Sequence, residues 1–325
     1  MDKFSFVVIS YNHSRYLDRC ILSCINQTYN NIEIIIGDDY SNDGSIEKIK
    51  KYHKNYNNVR YFINPRNNDN LIIPSVRSSA IIKKALQLST GKYICVISGD
   101  DYLCDNNKVK EAVNFLNNNS DYFCFVSSYK TVGDSESEFT LRSNNRHFYW
   151  STMYHHISSF VFRKVNPEEL LDRFCDDTGL EYILALKGKW KINSKVTFAY
   201  VQHESSIMHS SDKLELNLVE LLIFQDIINH QKKNKNFALM FSSLSRFYSP
   251  LNYCLKKRHK ISEPFYIKYI INAKKYESNI LNLIIENDEK YKAKISIFGL
   301  LALCMISRLF YKIVYFPIKM VNNDL

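Results

Sequence analysis

Apolar residues near the start of the chain gather in short unbroken runs, and these runs alternate with stretches spaced for a helix. Phe4 to Ser10 (FSFVVIS) is the first run. Behind it Tyr16, Leu17, Cys20, Ile21, Cys24 and Ile25 recur at helical spacing, with Ser14 placed to cap the helix. Ile32 to Ile36 (IEIII) is a second strand, ending in Gly37-Asp38-Asp39, and a helix through Ile46 and Ile49 follows. Val59 to Ile63 is a third strand, and Ala80, Ile81, Ala85 and Leu88 mark a helix that closes near Gly91. Lys92 to Ser98 (KYICVIS) is a fourth, ending in Gly99-Asp100-Asp101. Val109, Ala112, Val113 and Leu116 mark the next helix, and Tyr122 to Ser127 the next strand. Strands apolar on both faces, alternating with helices, predict an α/β fold with a parallel sheet wound on both sides.

Residues 133–149 are polar and aromatic without periodicity and read as a loop. Ile157 to Arg163 predicts a strand, Pro167 opens a short helix, Leu180 to Leu186 lies in another, and Trp190 to Val201 reads as one or two strands. From Leu214 the strand signals stop, and Leu214 to His230 and Phe265 to Asn287 read as helical. The chain therefore divides into a sheet domain over residues 1–213, a helical extension over 214–290, and a C-terminal segment over 291–325.

Composition narrows the function classes. With 325 residues, 46% of them apolar, the chain can bury a full core, and 23% charged residues is an ordinary globular fraction. Lys and Arg (43) exceed Asp and Glu (33), giving +10, which favours anionic partners. The basic residues are scattered and no nucleic-acid motif appears, so nucleic acid is not an expected partner. Eight cysteines occur without a Cys-X-X-Cys pair, and they read as reduced and mostly buried, as in a cytosolic protein. Met1-Asp2-Lys3 leads straight into a short apolar run that turns polar, so no signal peptide is read.

The chemistry concentrates at strand ends, where parallel α/β sheets bind ligands. Asp38-Asp39 and Asp100-Asp101 both fall there. Gathering carboxylates is electrostatically costly unless they hold a cation or hydrogen-bond donors such as ribose hydroxyls. There is no Gly-X-Gly-X-X-Gly and no Walker loop, so a bound nucleotide would have its diphosphate neutralised by a metal, and hard carboxylates suit Mg²⁺ or Mn²⁺.

Val7-Val8-Ile9-Ser10-Tyr11-Asn12, Ser23 to Tyr29 (SCINQTY), Glu33 to Ser45 (EIIIGDDYSNDGS) and Gly91 to Asp101 (GKYICVISGDD) together resemble family-two glycosyltransferases, the inverting class with the GT-A fold, a Rossmann-like, mainly parallel sheet flanked by helices. The similarity is strong over residues 1–115, traceable to about 210, and absent afterwards. The resemblance implies a donor half over 1–115 and an acceptor half over 116–213. It places Ser10 and Tyr11 beside the nucleotide base, Asp39 on the uracil ring nitrogen, Arg77 near base and diphosphate, Asp100 on the ribose and Asp101 on the metal. Position 40 is Tyr where Gly is common. The acidic segment Phe174 to Tyr182, followed by Leu184-Ala185-Leu186-Lys187-Gly188, matches the family's base region and puts Asp177 on the base, with Asp176 and Glu181 as alternatives. Tyr200 to Ser206 resembles the family's Tyr-Arg-X-His-X-X-Ser segment, with Val201 in place of arginine, and brings His203 toward the metal or diphosphate. His155-His156 reads as structural or acceptor-facing.

The function this implies is a metal-dependent inverting transfer of a sugar, from a nucleotide-sugar donor of the UDP class to a hydroxyl of a glycan or lipid-linked acceptor in polysaccharide biosynthesis. A nucleotidyltransferase would carry a glycine-rich loop where Ser10-Tyr11-Asn12-His13 stands, and a non-catalytic sugar-binding relative would lack the carboxylates. The tail bears on location. Ile295 to Ser307 (ISIFGLLALCMIS) is too short to span a bilayer, and Arg308, Lys312 and Lys319 follow among aromatics. That pattern suits a helix lying on an anionic membrane surface, or one packed on the catalytic domain, and predicts a cytoplasmic enzyme peripheral to the inner face of the cell membrane.

Overall fold

A computed structural model describes residues 1–65, 74–133, 137–139, 155–204, 206, 213–234, 250, 253 and 254. The described residues up to 206 belong to one compact unit and those from 213 on to a second. In the first unit, strand and helix alternate as β1 (Phe4–Ser10), α1 (Ser14–Ile25), β2 (Ile32–Asp38), α2 (Ser45–Asn55), β3 (Val59–Ile63), α3 (Pro74–Leu88) and β4 (Tyr93–Ser98). The chain continues through β5 (Tyr102–Leu103), α4 (Lys108–Asn118), β6 (Tyr122–Val132), β7 (Ser137–Phe139), β8 (Phe160–Arg163), α5 (Asp177–Lys187) and β9 (Lys189–Val201).

The nine strands among the described residues form one sheet in the order β3-β2-β1-β4-β8-β6-β9-β5, with β7 on β6. The first four pair in parallel. Beyond β4 the sheet is mixed: β8 runs antiparallel to both β4 and β6, β6 pairs β9 in parallel, and β5 closes the edge antiparallel to β9. The expected mainly parallel sheet flanked by helices is thus present, as a parallel half joined to a mixed half.

The continuous apolar runs are explained by burial on both faces. Phe4, Phe6, Val8, Ile34, Ile36, Cys95 and Ile97 pack with Leu17, Cys20, Ile21 and Cys24 of α1 and with Val109 and Val113 of α4. The alternate residues Val7, Ile35, Ile94 and Val96 are equally buried, and α3 covers β1 and β2 with Ile81, Ile82, Ala85 and Leu86 inside. Strand order reverses at β1, so the carboxyl ends of β1, β2 and β4 meet at the topological switch point.

Three local expectations are corrected. Ser14 is inside α1 and does not cap it; Asp43 does, accepting from the Ser14 N–H (2.9 Å) while its other oxygen accepts from the Ser45 N–H (3.0 Å) at the start of α2. One carboxylate thus serves two helix starts, and Gly44 between them sits at φ +91°, a conformation suited to glycine. Ile157–Ser159 is a 3₁₀ turn, not the first half of a strand, because its backbone groups are taken by side chains. Ser137–Phe139, inside the expected loop, pairs as a strand with β6.

The second unit contributes helix α6 (Lys213–Asn234), along which Leu214, Leu218, Leu221, Leu222 and Ile227 are buried. The predicted helix over 265–287 and the tail over 291–325 lie outside the described residues. Among the described residues no helix is long and apolar enough to cross a membrane, and the cysteines are free, with Cys104 exposed.

Candidate active site

Each acidic pair at a strand end splits, its two members turning to different partners. At β2, Asp38 is fully buried and closes its own turn, accepting from the Ser41 N–H and Oγ–H, both at 2.7 Å. Asp39 instead receives Arg77 in a two-pronged contact, Nε and Nη2 each at 2.5 Å, and the Asn64 amide at 3.2 Å. The expected donor residues Asp39 and Arg77 therefore meet, as a fork geometry that aligns both planes. Ser10, at the end of β1, is buried beside them in the sheet and accepts from the Asp39 N–H through its carbonyl (2.8 Å). Tyr11 and Tyr40 project from the two neighbouring loops, exposed, and Tyr40 holds φ +63°.

At β4 the inward member is Asp101, 1% exposed. Its Oδ1 accepts from the Val201 N–H (3.1 Å), its Oδ2 accepts from Ser158 Oγ (3.1 Å), and His156 Nε2 stands 3.6 Å away. Burial pushes this carboxyl up to about 7, Asp100 adds to the rise, and His156 opposes it. The link to Val201 follows from topology: β5 begins one residue after Asp101 and pairs Tyr102 with Ala199, which carries the end of β9 past the acidic pair.

Asp100 faces a different set. His203 Nε2 donates to its Oδ2 (3.0 Å), and His13 Nε2 stands 3.6 Å from the same oxygen. Oδ1 is buried and has no hydrogen-bond partner among the described residues. Burial would raise this carboxyl, but His13 and His203 outweigh it and hold it well below the carboxylate range, while burial depresses His13 itself. Tyr16 of α1 stacks on His203 at 4.8 Å. Gly99 makes the approach possible: a side chain there would meet His13 Nδ1 at 2.9 Å and the Ile9 carbonyl at 3.0 Å.

The three carboxylates expected near the base position separate clearly. Asp176 caps α5 and accepts from the Gly179 N–H (3.5 Å). Glu181 is 1% exposed and bonds His155 Nδ1 (2.7 Å), whose ring packs on Phe160 and Trp190 in the interior. Asp177, first residue of α5, is exposed and accepts from the Ile157 N–H at 2.5 Å. Burial pushes the Tyr200 hydroxyl up to about 12, with Asp101, Asp100 and Asp177 adding to it. Burial and then Asp177 raise Tyr129 in the same sense. His155 and His156 part company, the first serving the core and the second lying tilted against the Tyr200 ring at 4.8 Å, near Asp101.

His13, Tyr16, Asn64, Tyr129 and Ser158 join the site without a sequence signal, because each reaches it through a long-range contact, whereas His156 comes from the histidine pair already read as structural or acceptor-facing. Tyr200 stood in a segment already singled out, but its contact with His156 is a product of β9. Among the described residues no group of three or more His, Cys, Asp or Glu side chains is gathered to hold a metal ion.

The family model described as "Glycosyl transferase family 2" matches residues 5–171, which spans β1 to the turn before α5. A chondroitin synthase of Escherichia coli is 26% identical over 271 residues, 78% of this chain and 35% of that protein. This chain spans less than half the length of the first curated relatives it matches. Among solved structures, residues 1–349 of S. aureus TarS in complex with UDP-GlcNAc align with a TM-score of 0.58 at 15% identity, over 94% of this chain and 89% of that one. The mannosyltransferase PcManGT of Pyrobaculum calidifontis, in complex with GDP-Man and Mn²⁺, aligns with a TM-score of 0.51 at 12% identity, over 96% and 88%. These two likenesses establish a shared fold.

Proposed function

The chain belongs to glycosyl transferase family 2, and from that premise we propose that its first unit moves a sugar from a UDP-sugar to a hydroxyl of a glycan or lipid-linked acceptor, with inversion. The observation that carries this reading is that one turn, Ile157–Ser159, holds carboxylates from a strand end and a helix end: its Ile157 N–H goes to the exposed Asp177 of α5 and its Ser158 Oγ to Asp101 after β4, whose neighbour Asp100 faces His203. Two carboxylates in different surroundings suit two roles, one toward a diphosphate and one toward a proton. The UDP donor is supported by the TarS complex, and a place in polysaccharide assembly by the chondroitin synthase.

In this reading the base of the donor lies at the ends of β1 and β2. Asp39 accepts from the uracil ring N–H, and Tyr11 lies against the base. Arg77 turns its remaining N–H groups to the diphosphate. Asp100 is the better carrier of a divalent cation than Asp101. Its Oδ1 is buried without a partner among the described residues, and it is held ionised, whereas both oxygens of Asp101 are already engaged. One carboxylate plus donor phosphates is a normal way to hold Mg²⁺ or Mn²⁺, so the lack of a preformed cage is compatible. Bound there, the ion compensates charge on the departing nucleoside diphosphate.

Asp177 takes the proton of the acceptor hydroxyl. The acceptor oxygen bonds to the anomeric carbon as the bond from that carbon to phosphate breaks, and the electron pair leaves with the nucleoside diphosphate. His203, fixed by Asp100 and Tyr16, stands beside the leaving group. A single displacement needs no nucleophilic Ser or Cys. The tail over 291–325 is proposed to rest on an anionic membrane surface at the inner face of the membrane, near a lipid-linked acceptor.

The test is a panel of UDP-, GDP- and dTDP-sugars incubated with the full chain and Mn²⁺, with released nucleotide quantified by chromatography. Slow release of UDP from one UDP-sugar, suppressed by EDTA, is expected. Release confined to GDP- or dTDP-sugars would overturn the donor assignment, and release indifferent to EDTA would overturn the metal.

A further inference from the structure

The glycosyl-transfer reading leaves one buried charge without a task. Lys108 opens α4 yet is 1% exposed. Among the described residues no carboxylate pairs with it. Its Nζ donates to the Ser158 carbonyl (2.6 Å), reaches Ser127 Oγ at 3.4 Å, and lies 5.1 Å from the Phe198 ring centroid. Burying an ammonium without a counter-ion is costly, and an apolar side chain of similar length would fill the same space at less cost. Burial pushes this lysine below its ordinary value.

The carbonyl it holds belongs to the 3₁₀ turn Ile157–Ser159, which touches both halves of the proposed chemistry. The Ile157 N–H goes to Asp177, Ser158 Oγ goes to Asp101, and His156, capping the turn, faces Asp101 and Tyr200. The inward carbonyls of Ser158 and Ser159 take no ladder partner. Lys108 satisfies the first, and Ser127 Oγ (3.3 Å), itself bonded to Thr197 Oγ1, satisfies the second.

We propose that Lys108 is a positioning residue: its ammonium fastens the 3₁₀ turn and so sets the distance between the Asp100-Asp101 loop and Asp177. This rests on the glycosyl-transfer reading above. It assigns the lysine no contact with substrate. Its effect belongs in the rate of the chemical step and not in nucleotide affinity, because the β1 and β2 ends that meet the base are not tied to this turn.

Lys108→Met and Lys108→Arg test it, assayed for hydrolysis of the UDP-sugar that the panel shows to be cleaved fastest. UDP binding with Mn²⁺ is followed by calorimetry and folding by thermal melts. Lys108→Met is expected to lose about 10²-fold in kcat, the cost of a misplacement near 1 Å, with UDP affinity held within about threefold. Lys108→Arg, which keeps a cationic donor, recovers most of that loss. If Lys108→Met does not fold, Ser158→Ala breaks the same chain at the hydroxyl and carries the same expectation. Unchanged kcat in a folded Lys108→Met or in Ser158→Ala overturns the proposal, as does a kcat loss matched by an equal loss of UDP affinity or of folded protein. A wild type inert toward every UDP-sugar overturns the glycosyl-transfer reading and this inference with it; an active wild type with an unimpaired Lys108→Met overturns this inference alone.

Discussion

Asp177→Asn separates chemistry from folding. The amide oxygen can still accept from the Ile157 N–H, so the 3₁₀ turn keeps its tie to α5. What is lost is the negative charge in the first turn of α5, about 0.3–1 kcal/mol of stability at a helix N-terminus. For a domain of this size that is a fall in Tm of only a few degrees, at roughly 2–4 °C per kcal/mol. The proton acceptor disappears altogether. A positioned general base contributes about 10²- to 10⁴-fold, or roughly 3–5 kcal/mol on the barrier. Glu181→Gln should show the reverse pattern. It weakens a buried, charge-assisted bond to His155, costing about 1.5–3 kcal/mol of stability, while transfer by the folded fraction stays near wild type. The assay pairs initial rates of UDP release with urea titrations and UDP calorimetry. If Asp177→Asn transfers within about threefold of wild type, the base is elsewhere. If Glu181→Gln is the variant that folds and binds UDP but cannot transfer, the alignment of this segment is displaced by a helical turn.

Three other outcomes are expected. Asp100→Asn should weaken Mn²⁺-dependent UDP binding by roughly 10- to 100-fold, the worth of one charge-assisted contact, whereas Asp101→Asn should do so less; the opposite order in calorimetry returns the ion to Asp101. Glu33 is buried, yet bonds from Ser5, the Thr90 N–H, Lys3 and Thr90 Oγ outweigh burial and lower it from 4.5 to about 2. Its folded value is below its unfolded one, so its contribution of about 3 kcal/mol is complete above about pH 4.5 and is lost as pH falls toward 2; Glu33→Gln should flatten this part of the stability profile, and identical acid profiles would refute it. Tyr40, at φ +63° and 58% exposed, should tolerate Gly without loss of stability but lose about 1–2 kcal/mol on change to the β-branched Val; equal urea midpoints for the two variants would show the backbone there to be unstrained.

The sequence by itself determined the order of the elements from β1 to β4, then α4 and β6, and the family; the two-residue β5 is too short to leave a pattern. The reason is local: strands buried on both faces must be continuously apolar, helices must repeat at 3.6, and strand ends must carry the polar residues that meet a ligand. It also brought forward Asp39, Arg77, Asp100 and Asp177 as candidates. Which member of each acidic pair faces inward was decided only by tertiary structure, because adjacent residues at a strand end diverge and their partners come from far away in the chain. Asp101 turns to Val201 and Ser158, 100 and 57 residues distant, and Asp100 to His203, 103 residues distant. The same holds for Glu181, which reads as a plausible base until His155 is seen to hold it in the core. Lys108, next to the helical pattern of Val109, Ala112, Val113 and Leu116, carries no signal of its own and is the buried cation behind the site, since nothing in its own neighbourhood records that Ser158 places a carbonyl beside it. Local periodicity fixes elements; the pairing of buried polar groups, which must find partners wherever the fold supplies them, fixes the site.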